Sequence, residues 1–232
     1  MDLFKKEVRP PVTAIKLYGL REPADREVLL SSILDSIRST FGALPVEYDI
    51  CGPYGIKKGT TVGLKAFQNT LAKRGHDKYY TLSGATSGQF GFNLLLGARI
   101  NGTACSTYSE LIVWYASDNY SVDFLELVIP LLEPLDAVCG FDIDIPASDN
   151  ISTETKIKRS VFGSISVDVN HKHLAWLSSI HEGAVRGVFR NNVVNDQQLA
   201  SLSGNGITVF QTLPNGLHYF HLPNARHQHG RF

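Results

Sequence analysis

Residues 109–144, SELIVWYASDNYSVDFLELVIPLLEPLDAVCGFDID, decide the fold. Leu111, Ile112, Val113 and Trp114 make a short unbroken apolar run, the pattern of a strand buried on both faces. Ser121 is placed to cap a helix, with Asp123 in its first turn. Phe124, Leu125, Val128, Ile129, Leu131 and Leu132 then recur at helical spacing, and Pro134 is expected to stop the helix. Residues 137–143 return as a second strand, with Cys139, Phe141 and Ile143 on one side and Asp142 and Asp144 on the other. This strand, helix, strand unit says much about fold and little about chemistry.

Working outwards, residues 12–18 alternate as a strand, and residues 25–41 carry Val28, Leu29, Ile33, Ile37 and Phe41 at helical period before Gly42. Residues 46–51 read as a second strand. The glycine-rich loop 51–60 leads into a helix over 61–74 that buries Val62, Leu64, Phe67 and Leu71 and closes at Gly75. Strands follow at 79–82, 90–100 and 110–115, with Asn101-Gly102 as the strongest hairpin signal. The polar stretch 146–155, PASDNISTET, is the candidate linker or mobile loop. Beyond it come a strand at 161–169, a short apolar segment at 173–180, a capped short helix at 195–202, and strands at 207–211 and 217–222 across Pro214-Asn215-Gly216. The fold class expected is α/β (α+β), a mixed, largely antiparallel sheet flanked by amphipathic helices. One domain over 1–232 is expected; division into 1–146 and 156–232 around the linker is the alternative.

Composition removes several function classes. Twenty-two basic residues balance twenty-two acidic ones, without the positive surplus that backbone binding of nucleic acid requires. Cys51, Cys105 and Cys139 lack CxxC spacing, so neither a zinc site nor a disulfide framework is expected. The N-terminus lacks the apolar core of a signal peptide and no run approaches a membrane span. A cytoplasmic setting is expected, with no membrane partner.

Chemical motifs are also missing. Gly52, Gly55 and Gly59 precede a helix near Lys57 and Lys58, but neither GxxxxGK[ST] nor GxGxxG is formed. His171 and His173 share a side only on a strand; His218 and His221 fall on opposite faces of theirs; HExxH and GxSxG are absent. No metal, cofactor or catalytic residue is therefore assigned. Asp142 and Asp144 share a face and suit a carboxylate pair, solvated strand-face acids or a binding surface. Tyrosines near predicted loops (Tyr54, Tyr115, Tyr120, Tyr219) are the material of interface anchors.

The opening VTAIKLYGLRE (12–22), the long helix after it, WYASDNYSVDFLELVIPLLEPL (114–135), the polar linker and NDQQLASLSGNGITVFQTLPNG (195–216) follow one another in an order that resembles the immunity proteins of bacterial type VI secretion and related polymorphic toxin systems. The resemblance implies a non-enzymatic cytoplasmic protein that binds and neutralises one cognate toxin effector by occluding its active site. It carries no site residue over. The expected partner surface is Tyr54, Lys57, Lys58, Asp118, Tyr120, Asp142, Asp144 and Asp149. The competing reading is a small cytoplasmic hydrolase with a His/carboxylate site, which requires His171 or His173 beside Asp142.

Overall fold

The computed structural model describes residues 11–52, 60–99, 107–145, 155–159, 165–169, 171–202 and 211–223. In chain order the elements are β1 (Val12–Gly19), α1 (Arg26–Phe41), β2 (Glu47–Cys51), α2 (Leu64–Arg74), β3 (Thr81–Thr86), β4 (Phe90–Arg99), β5 (Thr107–Ala116), α3 (Phe124–Leu135) and β6 (Ala137–Ile145). Then follow β7 (Thr155–Arg159), β8 (Ile165–Val169), α4 (His171–Ser179), β9 (Asn191–Val194), α5 (Asp196–Leu202), β10 (Gln211–Thr212) and β11 (His218–His221).

Among the described residues, nine strands form one sheet in the order β10-β11-β9-β6-β1-β5-β4-β3-β2, while β7 and β8 pair separately. Each described pairing between these strands is antiparallel. The unit over 109–144 is therefore split: β5 and β6, joined by α3, lie on either side of β1 and pair with it rather than with each other. That explains why all eight residues of β1 are buried. A central strand covered on both faces has no solvent side to show in its sequence. Strand β9 bonds to β6 at Gly140↔Val193 and Phe141↔Asn192, so strands from before and after residues 146–154 share one sheet.

One face carries the larger core. Ile15, Leu17, Phe92, Leu94, Leu111 and Val113 meet Leu29, Ile33 and Ile37 of α1, Phe67 and Leu71 of α2, and Leu127, Val128 and Leu131 of α3. Of the helical positions named in the sequence, Leu29, Ile33, Ile37, Phe67, Leu71, Val128 and Leu131 make these contacts; Val28 is 51% exposed instead, and Val62 lies before α2, bridged to Tyr48. At its start, α1 is capped by Asp25, whose side chain accepts from the amides of Glu27 and Val28. Its end is Gly42 at φ 71°, a left-handed turn that glycine adopts without a Cβ clash. The opposite face holds a smaller cluster of Tyr18, Leu95, Tyr108, Cys139, Phe141, Leu177, Ile180 and Phe189, with Trp176 of α4 against it.

Two details of α3 correct the sequence reading. The cap is Asp123, not Ser121: its carboxylate accepts from the amides of Leu125 and Glu126. Pro134 does not stop the helix either, since it and Pro130 both lie within it and the end comes at Asp136, in the left-handed region at φ 53°. Pro130 is exposed and Pro134 half-buried, so water can reach the carbonyls that the two rings deprive of a donor. The 173–180 segment resolves as helix. Asn101-Gly102, Cys105, residues 146–154 and the strand expected at 207–210 lie outside the described residues.

Candidate functional site

The polar groups of the helix-covered face gather at one end of the sheet, where β1 begins and β6 ends. Register places them: Ile15 pairs with Asp142 and Thr13 with Asp144, so both acids point to the side that carries α1 and α3. Asp142 is nonetheless 3% exposed, because Arg190 and Asn191 close over it. It accepts from Arg190 Nε at 3.2 Å, from the Asn191 amide at 2.8 Å and from Asn191 Nδ2 at 2.8 Å. Asp144 accepts from Arg190 Nη2 at 3.1 Å and from Thr13 Oγ1 at 2.7 Å. With the Thr13 proton committed there, the 2.9 Å contact between Thr13 and Ser117 is donated by Ser117.

Asn191 extends the network. With its Nδ2 turned to Asp142, its Oδ1 faces the Tyr219 hydroxyl at 2.8 Å and His221 Nδ1 at 2.8 Å. An amide oxygen only accepts, so His221 carries a proton on Nδ1 and presents Nε2 as its second nitrogen. Burial raises the Tyr219 pKa, helped by the nearby Asp142 and Asp123 carboxylates. Burial alone would lower that of Arg190, but Asp142 and Asp144 more than offset it and the net shift is upwards. The guanidinium is thus a fixed cation bridging two acids.

The expected surface residues divide accordingly. Asp142 and Asp144 do come together, but Asp142 was expected on an exposed face and is buried; its role is to hold Arg190 and Asn191. Asp144, with 42% of its side chain exposed, remains on the surface. Asp118 is exposed in the turn after β5, next to Ser117 and hence at this same end of the sheet. Tyr120 is half-buried: its ring meets Phe41 at 5.1 Å and Phe90 at 5.7 Å, edge-on, and its hydroxyl donates to Gln89 Oε1. An aromatic side chain beside an apolar cluster buries its ring there, and only the tip stays wet. Tyr54, Lys57, Lys58 and Asp149 lie outside the described residues.

Sequence reasoning missed Arg190 and Asn191; it named Tyr219 as interface-anchor material and weighed His221 only as a strand histidine, without setting either beside Asn191. A signal existed: Arg190, Asn191 and Asn192 are three polar residues wedged between Val188-Phe189 and Val193-Val194. Strand register supplies what the sequence lacks, by setting them beside Asp142 from 48 and 49 positions away.

Chemically, the site orients polar groups. Asp142 has donors on both oxygens and the Arg190 guanidinium beside it, so its oxygens are already engaged within the protein. His173, which the hydrolase reading set beside Asp142, lies with Tyr18 and Trp176 on the opposite face of the sheet; the side chain of His171 is outside the described set. Among the described residues no group of three or more His, Cys, Asp or Glu could hold a metal ion. No described helix is long and apolar enough to cross a membrane.

The fold is similar to that of the Pseudomonas aeruginosa T6SS protein PA0821. The TM-score is 0.51 at 12% sequence identity, over 90% of this chain. The chain spans 64% of the length of that protein. At this identity the likeness is one of fold. No family model and no curated protein matches the sequence.

Proposed function

We propose that this chain is an immunity protein of a type VI secretion setting, which binds one cognate toxin effector and occludes its active site. The observation that carries the reading is the likeness in fold, across 90% of the chain, to a T6SS protein. The polar groups at the sheet end support this reading. Asp144 and Asp118 face solvent, Arg190 is bonded to Asp144, and Tyr219 and His221 are bonded to Asn191, so binding would cost little side-chain ordering. Fixed charges of this kind also set the register of a partner and reject wrong ones.

The test is a pull-down with purified chain as bait against lysate of its source organism, with bound proteins identified by mass spectrometry. A stoichiometric partner that is toxic alone and harmless alongside this chain is the expected result. If no such partner is captured at micromolar bait, the immunity reading fails.

A further inference from the structure

Beneath α4, on the face away from the proposed surface, lies a charged cluster that binding at the sheet end does not use. Lys16 and Glu110 are each 4% exposed. Lys16 sits opposite Ile112 and Glu110 opposite Tyr18, which turns both to the α4 side. Arg186, in the stretch after α4, brings its guanidinium within 5.4 Å of the Trp176 ring centre and 6.0 Å of the Phe141 ring centre. Its Nη1 is 2.9 Å from Nδ1 of His173. His173 is 3% exposed, with the rings of Tyr18, Tyr108 and Trp176 around it at 5.7, 6.2 and 5.4 Å.

This contact has one chemical reading. A guanidinium only donates, so Nδ1 of His173 accepts, and the ring is neutral with its proton on Nε2. A second proton would break that bond and press an imidazolium against a guanidinium, with Lys16 close by. Leu177, Ile180 and Trp176 pack into the smaller core, and the larger core, under α1, α2 and α3, includes none of them. The stretch after α4 is tied further to α5 and β9, through Val185 and Val188 and the bond from Gln198 Nε2 to the Ala184 carbonyl, so its release also breaks these contacts.

We propose that α4 and the Arg186 stretch form an acid-released cover, which protonation of His173 detaches from the sheet while the opposite helix layer stays folded. Burial, with Lys16 adding to it, lowers the His173 pKa to about 3. Out in water it returns to about 6.5. Between those values the open form binds more protons than the closed one, so falling pH favours opening, by on the order of a thousandfold once pH 3 is reached. The ionisable groups facing His173 or the cluster around it are Lys16 and Tyr18 from β1, Tyr108 and Glu110 from β5, Cys139 from β6, and Arg186. Tyr18 and Cys139 stay neutral throughout, since burial raises both, Cys139 to about 12. Glu110 is the buried carboxylate of this cluster, so it needs its own control.

The chain has two tryptophans, so Trp114→Phe leaves Trp176 as sole reporter. Its emission and iodide quenching would be followed from pH 7.5 to 4, with far-ultraviolet circular dichroism alongside. We expect a reversible red shift and a gain in quenching while the strand signal persists. His173→Gln, which can still accept from Arg186, should abolish the response, and Glu110→Gln should keep it. An unmoved Trp176, the same titration in His173→Gln, or a shift that occurs only with loss of strand signal overturns the proposal. Should His173→Gln fail to fold, long-range nitrogen–proton NMR on the Trp114→Phe protein decides: a neutral Nε2–H ring at pH 5.5 supports the cover, and a protonated His173 with α4 still docked refutes it.

Discussion

Asp142 and Asp144 stand two positions apart on one strand and share one arginine, yet their surroundings assign them different work. Asp142 keeps 5% of its side chain exposed and Asp144 keeps 42%. Removing the Asp142 carboxylate leaves the Asn191 amide and Nδ2 without their acceptor in a closed site, whereas half-exposed Arg190 can turn to water. Asp142→Ala should therefore cost about 3 kcal/mol of folding stability. Asp144→Ala, at a solvent-screened pair, should cost about 0.5 kcal/mol. Urea midpoints at constant slope measure both, and equal losses would contradict this division. Cys139 offers a second check at this scale. Its thiol is buried and pushed up to about 12, so iodoacetamide at pH 8 should spare it in the folded protein while half-buried Cys51 is labelled. Intact-mass analysis followed by peptide mapping would show which cysteine reacts.

At the scale of elements, α3 illustrates what a sequence can and cannot say. Its apolar stripe was largely legible because Phe124, Val128, Leu131 and Leu132 must meet the sheet, although the equally buried Leu127 was not read as part of it. Its first turn was not, since Ser121 and Asp123 are both competent caps and only the backbone path selects between them. Asp123→Ala should lower stability by about 1 kcal/mol, and Ser121→Ala by much less, in the same urea assay. A larger loss at Ser121 would reverse the assignment. For α5 the reading was more direct. Asn195 and Gln198, three apart, exchange bonds between side chain and amide in both directions, a reciprocal cap of the kind that spacing signals. Lys16 and Glu110 sat in plain view inside VTAIKLY and ELIVWY as single charges in apolar strands. Their burial could not be read, because it depends on α4 folding back over the sheet from a site more than fifty residues later.

Across the whole molecule, the sheet order explains why fold was easier to read than site. Alternation, apolar periods and glycine stops specify elements locally, and these give an antiparallel α+β protein. Register and neighbour order are non-local, and here they do the decisive work. Placing β9 beside β6 delivers Arg190 and Asn191 to Asp142. Inserting β1 between β5 and β6 sends His173 and Asp142 to opposite faces. The surface that results has Asp118 and Asp144 exposed at one end of the sheet and the α4 cover on the far face. The most direct measurement is growth of cells expressing the neighbouring gene's product with and without this chain. Arrest by that product alone, rescue by this chain, and loss of rescue in a folded Asp118→Lys, Asp144→Lys double variant are the predicted results. Absence of arrest, or arrest that this chain does not relieve, would contradict the immunity function itself; full rescue by the double variant would contradict the sheet end as its binding surface.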